Sequence, residues 1–495
     1  MLCLVTGATG YVGGRLAPEL LAAGHRVRVM VRDPARLRGH AWADDVDVAV
    51  ADATDPDAIR AALDRVDVAY YLLHSIGSGP DFAATEARMA HGFAEAAAGA
   101  DVGRLVYLGG LAPRGEELST HLASRERVGH ILLDSGVPTA VLRAAVVIGS
   151  GSASFEMLRY LTERLPAMVT PRWVESRLQP IAIQDVLRYL VGCATLPAHV
   201  NRAFDIGGPD VLSYKQMMVR YAAVAGLPRR RMLRVPVLTP RLSSLWVGLV
   251  TPVPSGLARP LVESVKHTAV TTEHDIAEHV PDPTDGLIGF ERAVELALSH
   301  IQNLEVPTRW SSATTASAPS APLPSDPDWT GGDLYLDERH CEVAAPPEAV
   351  WRIVEGIGGE NGWYSFPLAW RVRGVLDRLS GGPGLRRGRR NPRDLVVGDA
   401  LDWWRVEEAD EGRFLRLRAE MRLPGLAWLE LEVEPADGGG ATFRQRALFH
   451  PNGALGHAYW WAVYPFHGLV FGGMQRNIAT AAERLAADSS AHLRP

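Results

Sequence analysis

The chain opens Met1-Leu2-Cys3-Leu4-Val5-Thr6-Gly7-Ala8-Thr9-Gly10-Tyr11-Val12-Gly13-Gly14. A short apolar run, Leu2 to Thr6, passes into glycines at i, i+3 and i+6 (Gly7, Gly10, Gly13) and then into a helical segment, Arg15 to Ala23, closed by Gly24. A strand that turns sharply into a helix, beneath a ligand that approaches the backbone, tolerates no Cβ at those three points. The helix start supplies free N–H groups and the positive end of its dipole, so the loop Gly7-Ala8-Thr9-Gly10-Tyr11-Val12-Gly13 reads as a pyrophosphate cradle. Further apolar runs follow at Val27 to Val31, Val46 to Val50, Val68 to Leu73, Leu105 to Leu108, Thr139 to Leu142 and Ala203 to Ile206, with helix-like stretches between most of them. Strands alternating with helices predict an α/β fold with a doubly wound parallel sheet.

The second run ends Val31-Arg32-Asp33. An acid there would hold a ribose 2′-hydroxyl, whereas an arginine pairs a 2′-phosphate. Arg32 comes first, with Arg28 on the same side of a period-two strand, so NADP(H) is favoured and NAD(H) stays open. The plainer alternative pairs Arg32 with Asp33 on the surface. Asp52, after the third run, is placed either to accept from an adenine amino group or to cap a helix.

The 495 residues, 47% hydrophobic and 22% charged, suffice for two or three domains. A net charge of −6 argues against a nucleic-acid partner. Three scattered cysteines exclude a disulfide framework and a cysteine-type zinc site, and fit a reducing compartment. No export signal and no run of roughly 20 apolar residues is found, which predicts a soluble, cytoplasmic protein without an integral membrane segment. Leu245 to Val250 is the nearest approach to one, and leaves peripheral contact open. Trp310 to Pro327, rich in Ser, Ala, Thr and Pro, reads as an extended linker. Nine of the thirteen tryptophans lie at or beyond Trp329, so two domains of different character are joined there. The expected organisation is a dinucleotide-binding domain over 1–305, with substrate-region insertions from about 149, a linker over 306–328, a second domain over 329–487 and a tail over 488–495.

Thr6 to Gly14, Val31-Arg32, Asp52, Tyr70 to Ser75, Val106 to Gly110, Leu142-Arg143 and Phe204 to Pro209 resemble the extended and atypical short-chain dehydrogenase/reductases, in particular their NmrA-like and complex I accessory-subunit-like branch. The resemblance implies a Rossmann-like NAD(P)-binding domain, with Leu73 and His74 beside the cofactor. The family's catalytic Tyr and Lys, one helical turn apart, fall here on His121 and Arg125, and its Ser on Gly109-Gly110. Arg125 cannot release a proton but can bond ribose hydroxyls. His121, with an ordinary pKa near 6.5, can protonate a carbonyl oxygen. The bland alternative is a solvated His/Arg pair on a surface helix.

Beyond the linker, Asp333 to Val343 alternates and a Pro-initiated helix spans Pro346 to Glu355. Strand patterns cover Ala400 to Val406, Phe414 to Met421, Ala427 to Val433 and Ala441 to Phe449, and a long helix is predicted from Pro465 to Ala486. This order resembles a START or Bet v 1-like helix-grip domain and, more narrowly, a domain of unknown function that follows such Rossmann domains. The resemblance implies an elongated apolar cavity for a hydrophobic small molecule. Aromatics from Trp363 to Phe471, among them Trp370, Trp403, Trp404, Trp460 and Trp461, either line that cavity or form plain core. His450, His457 and His467 lack the spacing of a metal site. Arg386, Arg387, Arg389, Arg390 and Arg393 crowd a loop that is either solvated or in contact with anionic groups, and Glu116-Glu117 read as solvated charges. Together these features predict an NADPH-dependent oxidoreductase with a non-standard catalytic site, acting on a hydrophobic carbonyl or quinone-like substrate held by the second domain. The alternative is a non-catalytic NADP(H) redox sensor or lipophile carrier.

Overall fold

The structure, a computed structural model, describes residues 1–38, 40–74, 82–113, 118–170, 172–234, 255–302, 333–358, 362–364, 395–421, 423–436 and 438–491. Ser75, Glu116-Glu117, Leu245 to Val250, the 306–328 linker, Trp370 and the arginines Arg386, Arg387, Arg389, Arg390 and Arg393 lie outside the described residues. The chain forms two compact units, Met1–Gly332 and Asp333–Pro495.

In the first unit, β1 (Leu2–Thr6), β2 (Arg26–Val31), β3 (Asp47–Val50), β4 (Val68–Tyr71), β5 (Arg104–Gly110), β6 (Thr139–Ala144) and β7 (Arg202–Ile206) form one sheet. Its order is β7-β6-β5-β4-β1-β2-β3, with every neighbouring pair parallel. Parallel strands need crossovers, and helices supply them on both faces. On one face α1 (Tyr11–Ala22) and α6 (Ile183–Gly192) bury Leu16, Leu20, Val186 and Leu190 against Cys3 and Val5. On the other α2 (Pro56–Ala62), α3 (Phe82–Gly99) and α4 (Thr120–Leu133) bury Ile59, Phe93 and Leu132 against Leu4, Tyr71 and Tyr107. β1 and β4 are buried at every residue, which is why each reads as a continuous apolar run. The strand order reverses between β1 and β4, and that switch point opens a crevice at their carboxyl ends. After β6 the chain builds a separate apolar cluster from α5 (Ala153–Arg164), α7 (Tyr214–Val224) and α9 (Phe290–Gln302), with α8 (Ser255–Ser264) beside them; Leu158, Met217, Tyr221, Val262 and Val294 meet there.

In the second unit, β8 (Tyr335–Val343), β9 (Ala400–Leu401), β10 (Trp404–Asp410), β11 (Phe414–Ala419), β12 (Gly425–Pro435) and β13 (Ala441–Pro451) form an antiparallel sheet ordered β8-β13-β12-β11-β10-β9. One face is apolar: Leu417, Leu431 and Phe443 pack on Val350 and Val354 of α10 (Pro347–Glu355) and on Met474 and Ile478 of α11 (Gly453–Ala491). On the other face Glu338, Arg446, Glu430, Arg416 and Glu408 stand in register, one per strand. Their signs alternate across five strands, and Glu430 pairs with Arg416 at 2.7 Å and with Arg446 at 2.9 Å.

Two local expectations change here. The single strand over Ala400 to Val406 is a hairpin, since Ala400 pairs Arg405 and Leu401 pairs Trp404. Asp402, at φ 56°, turns the chain, and its carboxylate accepts from Trp363 Nε1 at 2.7 Å; Asp tolerates the left-handed region better than most residues. The long helix begins at Gly453, and Pro465 lies inside it rather than at its start. Pro465 is exposed, so water can take the carbonyl that its missing N–H leaves unbonded. No helix among the described residues is long and apolar enough to cross a membrane.

Candidate functional site

The glycine loop sits at the switch point and owes its shape to packing against β4. Thr6 Oγ1 donates to Tyr70 O at 2.9 Å and accepts from Leu72 N at 2.9 Å, which ties the two strand ends together. Gly7 has φ +67°, and a Cβ there would lie 2.7 Å from Leu72 O. A Cβ on Gly13 would lie 2.3 Å from Gly7 O, and one on Gly10 3.1 Å from the same oxygen. Gly10 N–H donates to that carbonyl at 2.8 Å, which closes the turn. Gly7 and Gly13 are therefore steric requirements of the loop, and Gly10 sits tightly against the same carbonyl. α1 begins with neither a side-chain cap nor an acid in its first turn, so its leading amides and dipole stay available to an anion. These residues fit a dinucleotide pyrophosphate.

The flanks of the loop are held by its neighbours. Arg15 stacks 4.2 Å over the Tyr11 ring, donates to Tyr11 O at 3.0 Å, and reaches Ser150 O at 3.2 Å. Tyr11 and Val12 pack on the apolar core, and Thr9 is half-buried. Leu73 is also half-buried, against the core on the α3 side, while the neighbouring His74 is exposed.

At the end of β2, Arg32 is exposed and forms no ion pair among the described residues. Asp33 does not pair it; its carboxylate accepts from Ala35 N at 2.9 Å. Arg28, counted with Arg32 from the strand period, instead donates to Ala62 O and Asp64 O, both at 2.9 Å, and is spent on the end of α2. Asp52 caps no helix: it accepts from Thr54 N at 2.8 Å and Thr54 Oγ1 at 2.6 Å, and Asp55 caps α2. The bonds from Thr54, then the nearby Arg32, hold the Asp52 carboxyl below its ordinary range.

α4 starts at an N-cap, Ser119, whose side chain accepts from Leu122 N at 3.3 Å. His121 and Arg125 follow one turn apart, on the face turned toward β5 and α3. Arg125 is buried, and its guanidinium lies 3.7 Å from Glu86 and donates to the Tyr107 hydroxyl at 3.3 Å. Ser124 Oγ donates to the other oxygen of Glu86 at 2.5 Å. Gly110 permits this packing, since a Cβ on it would meet Leu122 at 3.0 Å. His121 is half-buried, and its Nδ1 is fully enclosed with no hydrogen-bond partner among the described residues. Burial first, then the Arg125 charge, push its imidazole down to about 4, so it is neutral near pH 7. The enclosing protein and Arg125 act in the same direction on His74, an effect its exposure to solvent dilutes.

Glu86, Tyr107 and Ser124 were not singled out from the sequence. They come from three segments, α3, β5 and α4, that only the fold brings together. The one available signal was Glu86 as a lone acid early in the alanine-rich stretch Phe82 to Gly99. Tyr107 is wholly buried, burial pushes its phenol up, and it offers no hydroxyl to the surface.

Residues 7–147 match a family described as NAD(P)H-binding, and residues 329–474 match a protein family of unknown function, DUF2867. The chain is 30% identical over 237 residues to the (4-alkanoyl-5-oxo-2,5-dihydrofuran-3-yl)methyl phosphate reductase of Streptomyces griseus, covering 46% of this chain and 76% of that protein. The chain belongs to this NAD(P)H-binding, NmrA-like family. A ceramide reductase of Caulobacter vibrioides is 29% identical over 312 residues, 59% of this chain and 92% of its own length. The solved Citrobacter triphenylmethane reductase complexed with NADP(H) covers 60% of this chain and all of its own at 19% identity, with a TM-score of 0.48. The family match makes NAD(P)H the cofactor of the first unit, and the matched span, residues 7–147, includes the glycine loop.

Proposed function

We propose that the protein is an NADPH-dependent reductase of a hydrophobic carbonyl or quinone-like substrate, and that its second unit is a helix-grip, ligand-binding domain that holds this substrate. Gly7, Thr9, Gly10, Tyr11, Val12 and Gly13 cradle the pyrophosphate, Arg32 pairs the 2′-phosphate, Asp52 faces the adenosine side, and Leu73 and His74 line the crevice. Bound there, the cofactor supplies a hydride. The observation that carries the reading is an enclosed, unpartnered Nδ1 on His121, one turn before the buried Arg125 and close enough to His74 to feel its charge. A neutral imidazole donates one N–H, which would orient and stabilise an oxygen gaining negative charge. Arg125, held by Glu86 and Tyr107, keeps that imidazole neutral through its positive charge and does not itself exchange a proton. The hydroquinone anion that hydride transfer leaves on a naphthoquinone is a weaker base than a simple alkoxide, and so needs less from the donor than the missing tyrosine would supply.

The test is NADPH oxidation by the full chain with naphthoquinones and long-chain β-keto esters, repeated with His121→Ala. Turnover that falls at least about tenfold in the variant, with NADPH affinity kept, supports the reading. Tight NADPH binding without hydride transfer to any of them overturns it and favours a binding protein. That second reading draws on the interior placement of Arg125, where the family's lysine would face the cofactor.

A further inference from the structure

Gln445 lies in the middle of β13 on the face that carries Phe443 and Ala447, turned toward α10 and α11. It is 1% exposed, and neither its amide oxygen nor its amide nitrogen has a hydrogen-bond partner among the described residues. Its register neighbours are Leu431 on one side and Arg339 on the other. Arg339 Nε is likewise enclosed and unpartnered, while its Nη2 donates to Asp337 Oδ2 at 3.0 Å. Asp337 is also met by His467 Nδ1 of α11 at 3.2 Å. Opposite, Gly472 of α11 faces the arginine, and a Cβ there would lie 3.4 Å from Arg339 Nη1. Trp351 and Trp404, in the same apolar cluster, bury indole N–H groups that also lack partners.

Buried amides are almost always bonded, and an unmet one in an apolar core is costly. Here the unmet groups are two kinds of donor, Arg339 Nε–H and the Gln445 NH2, beside one acceptor, the Gln445 oxygen. A carboxylate would satisfy the donors but set a negative charge against that oxygen, and Asp337 already balances Arg339. A methyl ester offers acceptors and no donor. A carboxamide offers one of each.

We infer that the second unit binds an apolar molecule by an uncharged carboxamide-type end, which accepts from Arg339 and Gln445 and donates to the Gln445 oxygen. This rests on the ligand-holding half of the proposed function and not on the reductase half. Arg339 and Gln445 are the anchor, and Leu431, Phe443 and Met474 supply apolar contact to the rest of the molecule.

The experiment titrates the full chain, without cofactor, against dodecanamide, methyl dodecanoate and dodecanoate, following tryptophan fluorescence. The amide is expected to bind about tenfold tighter than either analogue, the effect of roughly one hydrogen bond. Gln445→Met, of similar size and without the unmet amide, should abolish the preference for the amide over the ester and leave an unfolding midpoint no lower than that of the parent, which shows that the variant folds. Equal affinity for all three probes, or an amide preference that survives Gln445→Met, overturns the anchor while ligand holding stands. Binding of none of them overturns the anchor and ligand holding together, and leaves these atoms to water.

Discussion

The Arg125 guanidinium on α4 lies 3.7 Å from the Glu86 carboxylate on α3, in a place where 10% of the arginine side chain and 3% of the glutamate remain exposed. Ser124 donates to the same carboxylate and Tyr107 accepts from the guanidinium, so four residues from three elements close one buried polar cluster. A buried pair adds little over an apolar isostere, but removing one partner strands the other charge. Glu86→Ala should therefore cost about 3 kcal/mol, measured by urea unfolding. A loss below about 1 kcal/mol would mean that the carboxylate does not hold Arg125.

The glycine loop predicts a contrast between two substitutions of the same kind. Gly13→Ala drives a methyl to 2.3 Å from Gly7 O, so the loop must open and NADPH affinity should fall at least about a hundredfold, read by calorimetry. Gly92→Ala, within α3 and with nothing inside 4 Å of the added Cβ, should leave NADPH affinity unchanged. It should also raise stability by about 0.5–1 kcal/mol through helix propensity.

Arg32→Ala separates the two dinucleotides. Removing an exposed guanidinium from a 2′-phosphate should weaken NADPH by about ten- to a hundredfold and leave NADH nearly unchanged, with the NADPH effect shrinking as salt rises. Equal losses for both would place Arg32 away from the adenosine ribose. Arg28→Ala serves as the control, since its bonds to Ala62 O and Asp64 O make it a stabiliser of α2.

The parts legible in the sequence were those specified locally. Leu2 to Gly13 is a strand, a turn and a helix start within one short stretch, and steric demand falls on the glycines themselves. The β8 and β11 to β13 runs show a period of two because one face meets the helices and the other carries the Glu338–Arg446–Glu430–Arg416–Glu408 row. The parts missed depend on distant partners or on local exceptions. Arg28 and Arg32 share a strand period, but only the position of α2 determines that Arg28 is already bonded. Asp402 breaks a strand pattern by entering the left-handed region, and Pro465 stays helical where its lost hydrogen bond faces water. Glu86 acquires meaning only when α3 is laid against α4.

His121 gives a pH dependence whose sign can be worked out. Burial, then Arg125 on the same helix, lower its pKa from 6.5 to about 4, while Glu86 on α3 acts upward and His74 after β4 downward. Between those two values the unfolded chain takes up a proton that the folded chain refuses. Stability therefore falls as pH drops through that window, and this group contributes no slope above it. His121→Asn keeps a neutral donor of similar reach and cannot titrate. A series of urea midpoints from pH 7 down to pH 4 should show a shallower decline in the variant, by up to about one proton per molecule at the steepest point. His74 is coupled to His121, so the same pair of curves is measured in a His74→Asn background, where its own titration is removed. Parallel curves would mean that the folded protein protonates His121 as readily as the unfolded chain does, and its imidazole would then be a proton donor near neutrality rather than a neutral hydrogen-bond donor.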